Sequence, residues 1–212
     1  MNRKAHWEEI YQKKSPSEVS WYQEQPKLSL EWIESLQLKK DAKILDVGGG
    51  ASHLARSLLK AGYTKICVLD ISAMALQHAK DELGHQASQI EWIVADLLDF
   101  KANRRCDLWH DRALFHFLTE PGDRQRYINS LHETLSPSGF AIIATFAIGG
   151  PEQCSGLPIV QYDARMLSRE LGPQFKRLRE KIEQHQTPWG TEQKFIYCLF
   201  QRESSQSERE AK

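Results

Sequence analysis

The chain has 212 residues, 41% hydrophobic and 26% charged, with 28 Lys+Arg balancing 28 Asp+Glu, which suits one folded domain with a sizeable core. Zero net charge gives no basis for a nucleic-acid or anionic-membrane partner, and no apolar run approaches the roughly 20 residues of a membrane span. Cys67, Cys106, Cys154 and Cys198 lie far apart without metal-ligand spacing, and no apolar segment follows the polar start, so the expectation is a reduced, soluble, cytoplasmic protein with no metal.

The first 36 residues read as a helical lead. Trp7, Ile10 and Tyr11 fall at helical spacing, and a second helix starting at Pro26 buries Leu28, Trp32, Ile33 and Leu36. Strand and helix patterns then alternate from 43 to 146, which predicts a parallel, doubly wound sheet. The first strand, Lys43 to Val47, runs into Gly48-Gly49-Gly50, after which Ser52 caps a helix through Leu54, Leu58 and Leu59. The second strand stops at Asp70, and a helix from Ser72 turns Ala75, Leu76, Ala79 and Leu83 inward. The basic run from Lys101 to Arg105 reads as a solvated loop before the fourth strand, Cys106-Asp107-Leu108-Trp109. Another helix follows Pro121, with Ile128, Leu131 and Leu135 inward.

Beyond Gly149-Gly150-Pro151 the pattern is less regular. Asp163 caps a helix carrying Met166, Leu167 and Leu171, ended by Gly172-Pro173. Residues 174 to 185 carry Phe175, Leu178 and Ile182 at helical spacing, yet Thr187-Pro188-Trp189-Gly190 is turn-like and residues 194 to 200 form an evident strand.

The segment around the glycines carries the chemistry. A strand, a glycine turn and an acid 24 residues beyond Asp46, at the end of the next strand, read as a nucleoside-binding βαβ unit, in which about 20 residues are expected. A dinucleotide fingerprint would need a glycine where His53 stands. Asp46, two residues before the first glycine, also opposes the negative charge of a pyrophosphate. It suits a ligand with a positive centre and an amino group, and S-adenosylmethionine has both. Glycines that only permit tight packing would look the same locally, but Asp70 at its distance disfavours that reading.

Leu45-Asp46-Val47-Gly48-Gly49-Gly50, Leu69-Asp70-Ile71-Ser72, Ala95-Asp96-Leu97 and Gly139-Phe140-Ala141-Ile142-Ile143-Ala144 together resemble, in order, four elements of the class I S-adenosylmethionine-dependent methyltransferases. These are motif I, the acidic loop after the second strand, the adenine-contacting loop after the third, and the fifth strand. The resemblance spans roughly residues 40 to 146 and departs at Ser52, where many members carry a third glycine. It implies an α/β fold with a mostly parallel seven-stranded sheet, a terminal antiparallel hairpin that makes 175 to 185 a strand, and an N-terminal helical lid. The implied organisation is a lid over 1–36, a methyltransferase domain over 37–203 and a disordered tail over 204–212.

The resemblance also implies roles for the acids that the strands deliver to one rim. Asp46 with Gly48, Gly49 and Gly50 serves the methionine end of S-adenosylmethionine, Asp70 and Ile71 the ribose, and Asp96 and Leu97 the adenine. Taken singly, each acid could be a surface carboxylate or a helix cap. After the fourth strand, His110, Asp111 and His116 are candidates to take a proton from the methyl acceptor, although His116 also reads as a core residue and Arg112 as a partner for Asp111. Trp7 and Trp21 are candidates to cover the cofactor, with core packing as the alternative. The arrangement is similar to a group that includes protein-lysine N-methyltransferases, whose Asp-Lys-Gly-Thr is replaced here by Asp111-Arg112-Ala113-Leu114. The methyl acceptor, a small molecule or a protein side chain, stays open. A non-catalytic cofactor-binding protein and a nicotinamide oxidoreductase are the competing readings.

Overall fold

A computed structural model describes residues 2–204, and the expected tail falls, from 205 on, outside the described residues. Seven strands make one sheet in the order β3-β2-β1-β4-β5-β9-β8. Strands β1 (Lys43–Val47), β2 (Lys65–Asp70), β3 (Ile90–Val94), β4 (Cys106–Arg112) and β5 (Leu135–Phe146) run parallel. β9 (Glu192–Arg202) returns antiparallel to β5, and β8 (Phe175–Gln186) pairs antiparallel with β9 as the edge. A separate ribbon joins β6 (Gln153–Cys154) and β7 (Leu157–Pro158).

Among the described residues six α-helices accompany the strands: α1 (Arg3–Lys13), α2 (Lys27–Ser35), α3 (Leu54–Lys60), α4 (Ala73–Leu83), α5 (Pro121–Thr134) and α6 (Ala164–Leu171). Because side chains alternate along a strand, each central strand feeds both faces. Ile44, Val68, Leu108 and Ile142 pack with Trp32, Leu58 and Leu76 on one side. Val47, Trp109 and Ile143 pack with Tyr127, Leu131 and Leu167 on the other. Among the described residues no helix is long and apolar enough to cross a membrane, and none of them group three or more metal-ligating side chains.

Local chemistry sets most boundaries. Ser72 caps α4 by accepting the Ala75 N–H at 3.1 Å, and Asp163 caps α6 by accepting that of Met166 at 2.7 Å. Ser52 acts one place farther out than a cap. His53 holds the cap position of α3, while Ser52 Oγ accepts the Leu54 N–H at 3.1 Å. β5 starts at Leu135, so Pro137-Ser138-Gly139 lies inside the strand, beside a shift in its register with β4. Residues 175 to 186 form β8 despite their helical spacing. A bulge between Arg177 and Arg179 interrupts the two-residue alternation and leaves Leu178 and Ile182 exposed.

Candidate active site

The carboxyl ends of β1, β2, β3 and β4 surround one cavity, as expected for an open parallel sheet. Asp46, Gly48, Gly49, Asp70, Ile71, Asp96 and Leu97 line it together, with His110 from β4 and Trp7 and Trp21 from the N-terminal lead. The glycine turn is pinned to the neighbouring strand, since Gly48 and Gly49 both donate to the Leu69 carbonyl, at 2.7 and 3.2 Å. Space is tight around it. A Cβ on Gly49 would stand 2.6 Å from Asp46 Oδ2, and one on Gly48 would stand 2.6 Å from Leu114 Cδ1. Gly50 does not line the cavity. At φ +47° it lies under Tyr11, whose hydroxyl would be 2.8 Å from an added Cβ.

Asp70 is the most perturbed acid of the rim. Burial pushes its carboxyl up to about 7, although N–H groups of Ser72 and Gly50 favour its charged form, and Asp46 and Glu8 add repulsion. Its Oδ1 accepts the Ser72 N–H at 2.8 Å. Asp96 accepts the Leu98 N–H at 3.0 Å and lies 3.3 Å from Arg3, while Leu97 is buried beside it.

The pleat of β4 separates two of the three residues expected to handle a proton, and the third, His116, lies beyond the strand. His110 pairs in register with Asp46 on β1, so the two share a face, and Nδ1 of the ring lies 2.7 Å from Asp46 Oδ1. Asp111 points to the opposite face and does not line the cavity. It accepts the Tyr127 hydroxyl at 2.7 Å and the Leu114 N–H at 3.0 Å, not a bond from Arg112. Burial pushes it up to about 6 against these bonds. His116 is also outside the cavity. Its ring stacks on Phe146 at 4.4 Å and accepts the Phe146 N–H at 3.2 Å, and burial, with the Arg112 charge, pushes it down to about 3.

Trp7 meets Trp21 edge-on at 5.8 Å and Phe117 at 5.0 Å, and Tyr11 meets Trp21 at 6.4 Å, making an aromatic roof. No local pattern in the sequence signals what holds this roof down. Glu8 of α1 accepts the N–H groups of Ala73 and Met74, at 2.8 and 3.1 Å, and the Ser72 hydroxyl at 2.9 Å. A carboxylate from α1 thereby occupies the N-terminus of α4, where helix N–H groups lack partners. Arg3 adds a bond to Asp123 at 2.8 Å, and the His78 ring approaches the Tyr11 carbonyl at 3.0 Å. His53, at the position that excluded a dinucleotide fingerprint, binds the Glu24 carbonyl and Glu82 at 2.9 and 2.8 Å and so steadies the segment after the roof.

The donor set fits a cationic, phosphate-free nucleoside. The rim is rich in carboxylates, and its two guanidinium groups are engaged within the protein, Arg3 by Asp96 and Asp123 and Arg112 by Tyr197 and the Trp21 carbonyl. Among the described residues that line the cavity, a pyrophosphate would find no free cation. A buried acid facing the cavity suits the paired hydroxyls of a ribose.

A family model described as a methyltransferase domain matches residues 44–139. Malonyl-[acyl-carrier protein] O-methyltransferase 1 of Ilyobacter polytropus is 31% identical over 109 residues, which are 51% of this chain and 39% of that protein. Human EEF1A lysine methyltransferase 2 is 22% identical over 160 residues, 68% of each chain. The crystal structure of the N-methyltransferase NodS from Bradyrhizobium japonicum WM9, in complex with S-adenosyl-L-homocysteine, superposes with a TM-score of 0.70 at 15% identity, covering 93% of this chain and 98% of that one. Residues 44–139 thus match a methyltransferase domain, and with the named relatives this supports a class I S-adenosylmethionine-dependent methyltransferase that uses S-adenosylmethionine.

Proposed function

We propose that this protein moves the methyl group of S-adenosylmethionine to a nucleophilic nitrogen, sulfur or oxygen of a small molecule or a protein side chain. The observation that carries the reading is the convergence of Asp46, Asp70 and Asp96, from three successive strand ends, on one cavity beneath an aromatic roof. Asp70 with Ile71 would hold the ribose, Asp96 with Leu97 the adenine, and Asp46 with Gly48 and Gly49 the amino-acid end. The bound cofactor supplies an electrophilic methyl on a sulfonium that leaves readily. What remains for the chain is positioning and water exclusion, which the roof of Trp7, Trp21 and Phe117 provides.

Neither Asp111 nor His116 is carried forward as the proton acceptor, because neither reaches the cavity. His110 reaches it, but both of its ring nitrogens are already hydrogen bonded. The acceptor therefore arrives with a free lone pair or yields its proton to solvent. The two curated relatives differ in acceptor, one named for a malonyl-carrier oxygen and one for a lysine, so acceptor class is left to experiment. The four free thiols suit a reducing compartment, and the reading places the protein in the cytoplasm without a nucleic-acid or membrane partner.

Calorimetry with S-adenosylhomocysteine and with NAD, followed by methyl-labelled cofactor incubated with fractionated cell extract, tests the proposal. Binding of S-adenosylhomocysteine alone and label transfer to a fraction are expected. Binding without transfer to any fraction would instead favour the non-catalytic cofactor-binding protein. NAD binding would overturn both.

A further inference from the structure

We infer that His110 is a positioning residue that fixes the Asp46 carboxylate for the amino-acid end of the cofactor, and that Ser29, from a helix behind the sheet, fixes the His110 ring. The inference rests on the reading of the cavity as an S-adenosylmethionine site. Three elements supply the parts. Asp46 on β1 and His110 on β4 are partners in register, and Nδ1 of the ring lies 2.7 Å from Asp46 Oδ1. On the far side of the ring, Nε2 lies 2.9 Å from Ser29 Oγ on α2. Asp46 and His110 line the cavity, whereas Ser29 does not. The serine therefore acts on a ligand only through the histidine.

The proton between ring and acid belongs to the ring. A carboxylate that is to hold an ammonium group is ionised and can only accept, so Nδ1 carries a proton and donates it to Oδ1. That assignment holds whichever partner donates between Nε2 and Ser29, because a hydroxyl can do either. The second carboxylate oxygen is confined as well. A Cβ on Gly49 would stand 2.6 Å from Asp46 Oδ2, so the acid sits between the imidazole and the glycine turn. Asp46, His110 and Ser29 are at most 3% exposed, so water does not compete for these bonds. The carboxylate is thus oriented before the cofactor arrives, which lowers the cost of ordering it on binding.

The arrangement accounts for two oddities. Ser29 is a fully buried polar residue on the inward face of α2, beside Trp32 and Ile33, where an apolar side chain is the rule. His110 lines the cavity yet has no nitrogen free for an acceptor's proton. The role is also confined to one end of the site. Asp70 and Asp96 are held by the backbone N–H groups of Ser72 and Leu98, at 2.8 and 3.0 Å, so losing the His110 contact leaves the ribose and adenine positions intact.

Methylthioadenosine keeps the adenine and ribose of the cofactor but lacks its amino-acid end, so it separates this role from a general one. In calorimetry, His110→Leu and Ser29→Ala should each weaken S-adenosylhomocysteine binding, about fivefold for one lost hydrogen bond, and leave methylthioadenosine affinity unchanged. His110→Asn offers a side-chain N–H near the place of Nδ1 and should recover part of the loss. In the free wild-type protein, nitrogen-15 spectra of labelled histidine should show the His110 ring protonated on Nδ1, and both Asp46→Asn and Ser29→Ala should shift that resonance. A purely structural role would lower the melting temperature and change both affinities alike or neither, which would overturn the inference. So would a wild-type ring protonated on Nε2 alone. If the wild type bound neither nucleoside, the proposed function would fail, while the protonation of the ring in the free protein would still decide whether His110 holds Asp46.

Discussion

Glu8→Ala should loosen the aromatic roof without removing any group from the cofactor rim. The Glu8 carboxylate accepts three bonds, from the Ala73 and Met74 N–H groups and the Ser72 hydroxyl, at 2.8, 3.1 and 2.9 Å. Partial burial pushes its carboxyl up, but those bonds outweigh the burial and hold it below the usual carboxylate range. Charged hydrogen bonds at a helix N-terminus that is partly open to water belong at the low end of their range, so the three together are worth about 1–2 kcal/mol. That is a factor of roughly 5–30 in the docking equilibrium of α1. Amide exchange over Arg3–Lys13 should rise by that factor in the variant. S-adenosylhomocysteine affinity should fall with it if the roof closes over the ligand, because Glu8 itself does not line the cavity. Glu8→Gln keeps an acceptor oxygen and should fall between. Exchange in α1 unchanged by Glu8→Ala would show that the clamp contributes nothing. Faster exchange with unaltered affinity would show that the roof is packing and not part of the binding site.

Asp70 should make cofactor binding depend on pH. Its carboxyl, at about 7 in the fold against about 3.9 unfolded, holds a proton that the unfolded chain has lost. Its contribution to stability is therefore complete below pH 4 and lost as pH rises through 7, whereas ribose hydroxyls prefer the ionised form. S-adenosylhomocysteine affinity should increase between pH 6 and 8 in calorimetry, Asp70→Asn should bind weakly at both, and a flat wild-type profile would remove Asp70 from the site. Gly50→Ala forces a side chain onto φ +47° with its Cβ 2.8 Å from the Tyr11 hydroxyl. The left-handed backbone alone costs about 1–2 kcal/mol, so both the melting temperature and cofactor affinity should drop, and a variant equal to wild type in both would refute the tight contact. His116→Asn should destabilise the protein yet spare cofactor affinity. The native ring, pushed down to about 3, contributes stability that is present above pH 6.5 and lost as pH falls toward 3, so the variant should show a shallower acid-side decline in denaturation. A loss of affinity without a loss of stability would return His116 to the site.

What the sequence made legible was the part whose signals are local. Strand ends carrying Asp46, Asp70 and Asp96 announce themselves through apolar runs that stop at an acid, and a parallel sheet brings such ends to one rim. The caps Ser72 and Asp163 sit immediately before their helices. β8 was harder, since Phe175, Leu178 and Ile182 fall at helical spacing although only Phe175 is buried, and only the family's hairpin identified it. At β4 the composition of the site was in view but its geometry was not. His110, Asp111 and His116 are all residues that can carry protons, and the pleat assigns His110 and Asp111 to opposite faces. Which face meets the cavity follows from the pairing of His110 with Asp46, a contact between residues 64 apart in the chain.

The counterparts of the acids carry no such local signal. A rim crowded with carboxylates is tolerable only if distant segments supply donors, and here they come from both ends of the chain. Arg3 meets Asp96 and Asp123, Arg112 meets Tyr197 and the Trp21 carbonyl, and His110 bridges Ser29 and Asp46. Glu8, itself an acid, is paired with helix N–H groups instead of a cation. No periodicity ties residue 3 to residue 96, or residue 29 to residue 110. Each of these side chains, read alone, is an ordinary polar residue on a helix or strand. They acquire a role only because the lead folds back over the sheet, and that fold-back is driven by the apolar faces of Trp7, Tyr11, Leu28, Trp32 and Ile33, which were legible. Hydrophobic patterning thus decides where the roof lands, and the polar contacts decide how firmly it is coupled to the site beneath.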